Sequence, residues 1–175
     1  VGSSAVAEVY PALAQEFGTV EFCGYESEVA KGDIIALLAD GARIDELSEG
    51  QAGEVVTRVT PFYPEQGGQV GDRGLITVGD SRFAVDDTRK PVDGLIVHRG
   101  RVVSGSVTVG ASAELSVDHE LRSATRRNHS ATHLLHWALR QVVGETAAQK
   151  GSLVGPDRLR FDYSGTRPLD PADLE

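Results

Sequence analysis

The chain has 175 residues, of which 40% are hydrophobic, and a formal net charge of −9 at pH 7. This apolar content suffices for the cores of one or two small domains, and the negative charge argues against a broad, nonspecific grip on nucleic acid. No apolar run reaches membrane-spanning length, and a single cysteine excludes an internal disulfide framework. We therefore expect a cytoplasmic protein without a membrane partner; the composition does not indicate its oligomeric state.

The first two regions of the chain differ in their residue patterns. Residues 1–18 form a helical lead-in, in which Pro11 starts or interrupts the helix and Gly18 ends it. Between residues 19 and 117, short β-branched runs alternate with turn residues such as Asp40-Gly41 and Arg99-Gly100, which predicts a barrel or a sandwich. The predicted strands are 34–38, 42–47, 53–59, 74–78, 82–85, 95–98, 101–109 and 113–117.

A glycine-rich segment interrupts the predicted strands at residues 60–72. Gly67 and Gly68, followed by Gln69, would let backbone amides approach a ligand closely, although a plain turn between strands explains the same residues. The segment lacks the strand-to-helix context of a dinucleotide-binding or P-loop motif.

After Val117 the hydrophobic period becomes helical. We predict a short basic helix over 118–127, an N-cap at Asn128, and an amphipathic helix over 129–143 that ends at Gly144. A β-hairpin of 149–154 and 158–163 follows, and 171–175 resembles the first turn of another helix, so a fragment of a longer protein is expected. The residues predicted to form the core side of the second helix are Leu134, Leu135, Ala138, Leu139 and Val142.

Two histidines in this region form half of a metal site. His129 and His133 are four residues apart, so on a helix both imidazoles lie on one face and can share one cation. Zinc sites need three or four protein ligands, and neither Cys23 nor the other histidines have a ligand spacing to the pair. The pair alone fits packed or surface histidines equally well.

The arginines ahead of the histidine pair are candidate RNA contacts or ordinary solvated charges. They are Arg122, Arg126 and Arg127.

Four motifs, taken together, resemble the editing region of alanyl-tRNA synthetases. They are YPEQGGQVGD at 63–72, NHSATHLLH at 128–136, QKGS at 149–152 and LRFDYS at 159–164. Their order and spacing match across nearly the whole chain. The lead-in EFCGY at 21–25 favours the synthetases themselves, of bacterial type, over free-standing editing proteins.

The resemblance implies an α+β fold, in which a β-barrel subdomain over 19–117 precedes the start of an editing subdomain over 118–175. That subdomain is shared with threonyl-tRNA synthetase. In the family the module hydrolyses the ester of tRNA(Ala) mischarged with serine or glycine, while the parent enzyme attaches alanine using ATP. No catalytic side chain is assigned, because the sequence has no Ser-His-Asp or Cys-His arrangement.

The resemblance also implies the site residues. His129 and His133 would be two of four zinc ligands, and a C-x-x-x-H beyond residue 175 would complete the site, so the isolated fragment is expected to be inactive. Thr132 and Gln149 match the amino-acid pocket, and the loop Gly67, Gly68 and Gln69 lies near it. The alternatives are a non-catalytic tRNA-binding module, in which the imidazoles only pack, and a metal-dependent hydrolase of small esters.

Overall fold

The computed structural model describes residues 2–174. These residues divide into two compact units, one of residues up to 66 with 71–119, the other of 67–70 with residues from 120 onward. None of the described helices is long and apolar enough to cross a membrane. In chain order the elements are α1 (Gly2–Phe17), β1 (Glu21–Phe22), β2 (Val29–Ala39), β3 (Ala42–Ile44), β4 (Glu46–Ser48), β5 (Ala52–Thr57), β6 (Val59–Thr60), β7 (Gly74–Val78), β8 (Ser81–Val92), β9 (Leu95–Ser104), β10 (Ser106–Thr108), β11 (Ser112–Val117), α2 (His119–Val143), β12 (Ala148–Val154), β13 (Leu159–Ser164) and a 3₁₀ turn (Pro171–Leu174).

The first unit contains a closed barrel of six antiparallel strands. The strands follow one another around it in the order β2, β11, β7, β8, β9 and β5, and β5 pairs again with β2. Closure depends on the length of β2, whose first half pairs with β11 and whose last residues pair with β3. The prediction of a β-barrel is confirmed, and the described chain as a whole mixes α and β structure.

The barrel strands bury side chains on both faces. Because successive side chains of a strand point to opposite sides, Leu37 lies in the barrel interior with Phe62 and Phe83, while Leu38 belongs to a second cluster outside it. That second cluster includes Tyr10 and Leu13 of α1. The predicted N-terminal helix is confirmed, with Pro11 inside it and Gly18 just after its end.

One of the two predicted hairpin turns is correct and the other is wrong. Asp40 (φ 51°) and Gly41 (φ 77°) take the left-handed conformation that a tight hairpin between β2 and β3 requires. Arg99 and Gly100, by contrast, lie inside β9. A Cβ at Gly100 would lie 1.8 Å from the carbonyl oxygen of Ala84 on β8, so this glycine allows close approach of two backbones and does not form a turn.

The predicted break at Asn128 is also wrong, because α2 runs without interruption from His119 to Val143. The Asn128 side chain does not cap a helix. Its Nδ2 donates to the carbonyl oxygens of Gly155 (2.7 Å) and Pro156 (3.2 Å), which lie between β12 and β13. The helix ends where predicted, before Gly144 at φ 112°, and the predicted hairpin of β12 and β13 is confirmed.

The face of α2 that packs in the second unit differs from the predicted one. Thr132 and Leu139 are buried, and the His136 ring lies 5.0 Å from that of Phe161 on β13. Leu134, Leu135 and Val142 are instead 68%, 39% and 43% exposed, so the predicted apolar core side is wrong for three of its five members. The packed face is selected by the polar contacts of Asn128 and His136 with the hairpin, which hydrophobic periodicity does not report.

Candidate functional site

The two histidines of α2 stand side by side on its exposed surface. The Nε2 atoms of His129 and His133 are 3.2 Å apart, and their ring centroids are 4.9 Å apart. Two imidazole nitrogens bound to one tetrahedral zinc at about 2.05 Å are separated by about 3.3 Å. The same distance fits a hydrogen bond between a protonated and an unprotonated Nε2. The pair therefore has the separation that a shared zinc requires.

The described residues do not complete a metal site around this pair. Among residues 2–174 there is no group of three or more histidine, cysteine, aspartate or glutamate side chains that could hold an ion. His136 packs on Phe161, and its Nε2 lies 3.4 Å from the carbonyl oxygen of Ala147. Of the expected ligand set, the described residues thus bring together only the two predicted members, His129 and His133.

A polar cleft of about 430 Å³ lies in the second unit, between the tip of the glycine-rich loop and the start of β12. Two backbone hydrogen bonds hold the tip on β12. Val70 donates to the Val154 carbonyl (2.9 Å) and Val154 donates to the Gly68 carbonyl (2.8 Å), and these two bonds form a parallel bridge between Gln69 and Val154. Predicted site residues Gly67, Gly68 and Gln149 thereby line one cleft. Its lining is Gly67, Gly68, Gln149, Lys150, Gly151 and Ser152.

We expect Gly68→Ala to detach the loop tip from β12. Gly68 has a φ of 86°, and its added Cβ would lie 2.5 Å from the backbone oxygen of Ser152, so strain and a backbone clash combine. The free energy that protects the Val70 and Val154 amides from hydrogen exchange is expected to fall by about 2 kcal/mol.

Gly67→Ala is the matched control for this substitution. Gly67 has a similar positive φ of 59°, but an added Cβ would meet no atom within 4 Å. This variant isolates the cost of the left-handed conformation, about 1 kcal/mol. Equal loss of protection in the two variants would mean that the close approach to Ser152 does not hold the tip.

Thr132 lies on α2 between the two histidines, and it does not line the cleft. It is 6% exposed, and its hydroxyl donates to the Asn128 carbonyl four residues earlier, at 2.8 Å. Because the hydroxyl hydrogen is used there, the oxygen has only acceptor capacity left for a ligand. Gln149, by contrast, is exposed on β12 and keeps both amide functions available.

Positive charge is unevenly distributed between the units. Residues 120–175 carry eight Lys and Arg against seven Asp and Glu, whereas the rest of the chain carries nine against nineteen. Of the three predicted RNA contacts, Arg126 and Arg127 are exposed on α2, and Arg122 is only 7% exposed. A polyanion would therefore meet far less repulsion at the second unit than at the barrel.

A buried histidine, which the sequence analysis did not identify as structural, fixes the strand that leads into the glycine-rich loop. His98 of β9 is fully buried in the barrel unit, and its Nδ1 lies 2.8 Å from the Val55 carbonyl. A carbonyl only accepts, so Nδ1 carries the hydrogen, and Nε2 accepts from the Thr60 hydroxyl at 2.7 Å. The Thr60 oxygen in turn accepts from the Phe62 amide (3.1 Å). Burial lowers the pKa of His98 to about 4.

The base of the loop is closed by a second set of hydrogen bonds within the barrel unit. The Asp72 carboxylate accepts from the Tyr63 amide (2.7 Å), and the Asp72 amide donates to the Tyr63 carbonyl (2.9 Å). Thr88 donates its hydroxyl to the Asp72 carbonyl (2.9 Å), and its own carbonyl accepts from the Glu65 amide (2.8 Å). Both ends of the loop, at Glu65 and Asp72, are thus hydrogen-bonded to Thr88 of β8.

The amino-acid sequence of the chain is similar to one family model and to several known proteins. The chain matches the family model of tRNA synthetases class II (A) over residues 2–121. It is 50% identical over 173 residues to the alanine–tRNA ligase of Rhodopseudomonas palustris, 49% over 174 residues to that of Mesorhizobium japonicum, and 48% over 174 residues to that of Parvibaculum lavamentivorans. Each alignment covers 99% of this chain but 20% of the relative, so the chain spans about a fifth of the length of these relatives. The chain therefore belongs to the family of tRNA synthetases class II (A), and over nearly its full length it is similar to bacterial alanine–tRNA ligases.

Proposed function

We propose that this chain is the barrel and the first part of the editing module of an alanine–tRNA ligase. In this proposal the module hydrolyses the ester that joins serine or glycine to tRNA(Ala) in the cytoplasm. The single observation that carries it is the separation of 3.2 Å between the Nε2 atoms of His129 and His133, which suits a shared zinc ion. The attachment of alanine with ATP belongs, in the same proposal, to other parts of the full-length ligase.

His129 and His133 would hold the zinc ion through Nε2, and the resemblance puts the other two ligands in a downstream C-x-x-x-H. Bound there, the ion would supply a Lewis acid next to the ester. The helix holds both rings ready for this role, because they leave one face of α2 one turn apart and are exposed to solvent. We assign no protein side chain as nucleophile.

The need for such a module follows from the size of the amino acids. A pocket built for the alanine methyl group cannot reject glycine, which is smaller, and discriminates only weakly against serine. A second, hydrolytic site selects by different chemistry. Thr132 Oγ1 can accept a hydrogen bond from the seryl hydroxyl, and the Gln149 amide can donate one. An alanyl methyl would make neither of these two hydrogen bonds, so the site would favour the seryl ester.

The second candidate function is a non-catalytic tRNA-binding module. It is favoured by the two exposed arginines on α2, Arg126 and Arg127, and by the distance of 3.2 Å between the Nε2 atoms of His129 and His133, which also fits a hydrogen bond. In this alternative the second unit binds tRNA through Arg126 and Arg127, and the two imidazoles bind each other and no metal.

One experiment separates the two functions. Deacylation of Ser-tRNA(Ala) and zinc content are measured for residues 1–175 and for the chain extended to the full length of its relatives. We expect zinc and hydrolysis in the longer protein and neither in the shorter one. Binding of tRNA by both, with no zinc and no hydrolysis in either, would establish the tRNA-binding module instead.

A further inference from the structure

A lysine lines the cleft beside the glycine-rich loop. Lys150 lines the cleft next to Gln149, and within residues 2–174 no carboxylate lies within ion-pair distance of its ammonium group. Arg160 on the paired strand differs, because its Nε lies 3.1 Å from Asp162 Oδ1. Lys150 is thus a free cation in a polar cleft, where an anionic group of a ligand can replace the water around it.

The opposite wall of the cleft supplies hydrogen-bond donors. The backbone N–H groups of Gly67 and Gly68 make no hydrogen bond with any part of the chain that the structure describes. Both residues have positive φ, 59° and 86°, and successive amides in such turns form anion-binding concavities. Lys150, Gly67 and Gly68 thus line one cleft of about 430 Å³, and an ammonium group and unpaired backbone amides are both groups that bind oxyanions.

We propose that Lys150, with the amides of Gly67 and Gly68, binds the phosphate group of the terminal nucleotide of the mischarged tRNA. This inference rests on the proposed function, because the ester to be hydrolysed sits on the ribose of that nucleotide. Its phosphate is therefore the anion nearest to the reacting carbonyl. Lys150 is a positioning residue in this scheme: it holds the nucleotide so that the ester lies at the hydrolytic site, and it takes no part in bond breaking.

Two substrates that differ in the phosphate test this role. The chain extended to the full length of its relatives is assayed with Ser-tRNA(Ala) and with seryladenosine, which has the same ester and no phosphate. For Lys150→Ala we expect KM for Ser-tRNA(Ala) to rise about tenfold at unchanged kcat, as loss of one charge-assisted hydrogen bond implies. Hydrolysis of seryladenosine stays as in the wild type. Lys150→Arg keeps the charge and restores most of the tRNA affinity.

Salt dependence gives a readout that needs no hydrolysis. With uncharged tRNA(Ala), Lys150→Ala is expected to reduce the slope of log affinity against log salt by about one, the signature of one lost phosphate contact. Lys90→Ala is the matched control. This lysine lies on β8 in the acidic barrel unit, with its Nζ 3.5 Å from Asp93, and its removal leaves the slope unchanged.

The outcomes distinguish this inference from the function on which it rests. If the wild type hydrolyses neither substrate, the editing function is wrong, and the salt slope alone decides whether Lys150 binds phosphate. If the wild type hydrolyses both and Lys150→Ala changes neither KM nor the salt slope, the phosphate role is wrong. Equal losses on Ser-tRNA(Ala) and on seryladenosine would also overturn it, because they would mean that Lys150 acts on the ester or on the fold.

Discussion

Replacing His129 with alanine is expected to lower deacylation of Ser-tRNA(Ala) by about 100-fold in the full-length ligase, while alanine activation stays unchanged. His129 and His133 stand at the Nε2 separation of two zinc ligands. Under the proposed function, removing one imidazole takes away a ligand, and among residues 2–174 no further histidine, cysteine or carboxylate is grouped with the pair to replace it. The measurement is the rate of Ser-tRNA(Ala) hydrolysis with the zinc content of the same preparation.

The matched control is another exposed histidine of the same helix. His119 Nδ1 lies 2.8 Å from the Glu28 carboxylate in the barrel unit, away from the pair. His119→Ala is expected to retain both zinc and deacylation. A His129→Ala protein that lost zinc and still hydrolysed Ser-tRNA(Ala) would separate the metal from the reaction. A His129→Ala protein that kept both zinc and hydrolysis would show that His129 is not a zinc ligand.

The architecture of the barrel was largely predictable because its signals are local. Strand β7 has the predicted bounds, since its five residues lie between turn residues on both sides. The hairpin at Asp40 and Gly41 was predictable because few residue pairs take two successive left-handed conformations. The prediction of a turn at Arg99-Gly100 was wrong because glycine also allows two backbones to approach closely. Only the position of Ala84 on the neighbouring strand shows that Gly100 serves close approach and not a turn.

The helix of the second unit was predicted less well, for a different reason. Its apolar residues suggested the packed face, but Asn128 and His136 fix that face by contacts with Gly155 and Phe161, which follow them by about 25 residues. Periodicity reports which side is apolar and does not report which partner is present. The spacing of the histidines was predictable, because a helix alone places residues four apart together.

The cleft could not be predicted by spacing at all. Gly67 and Gly68 are some eighty residues from Gln149 and Lys150, and the bridge between Gln69 and Val154 that joins the two segments is a tertiary contact. The motif resemblance placed Gln149 and the glycines near one pocket, but it assigned nothing to Lys150. The signal that was available is its position inside the QKGS motif, directly after a residue already expected in the pocket.

The stability of the barrel is expected to fall by about 3 kcal/mol between pH 6.5 and pH 4 because of His98 alone. Burial lowers its pKa to about 4 in the folded chain, against about 6.5 for an unfolded histidine. Between these values the unfolded state binds a proton that the folded state does not. The contribution of the neutral His98 to the free energy of unfolding is therefore fully present above pH 6.5. It is lost at about 1.4 kcal/mol per pH unit as the pH falls toward 4.

Burial is the main reason why the folded His98 ring resists this proton. Nε2 accepts from the Thr60 hydroxyl, so a proton there would remove the acceptor and place a charge in a fully buried site. Urea denaturation, followed by circular dichroism at a series of pH values, measures the slope of the free energy of unfolding against pH. In His98→Gln the slope between pH 6.5 and 4 is expected to be shallower by about 1.4 kcal/mol per pH unit, whatever the stability of the variant at neutral pH.

Two further measurements test whether the pH dependence arises from His98. His119→Gln removes an exposed histidine and serves as the control for any general effect of losing an imidazole. If His98→Gln does not fold, nitrogen chemical shifts of the wild type report the same property directly, as a neutral ring with its hydrogen on Nδ1 that does not titrate down to pH 5. A ring that titrates near pH 6.5 would show that His98 does not hold Thr60 and Phe62 in place. The glycine-rich loop would then be held at its base by the hydrogen bonds of Asp72 with Tyr63 and of Thr88 with Asp72 and Glu65.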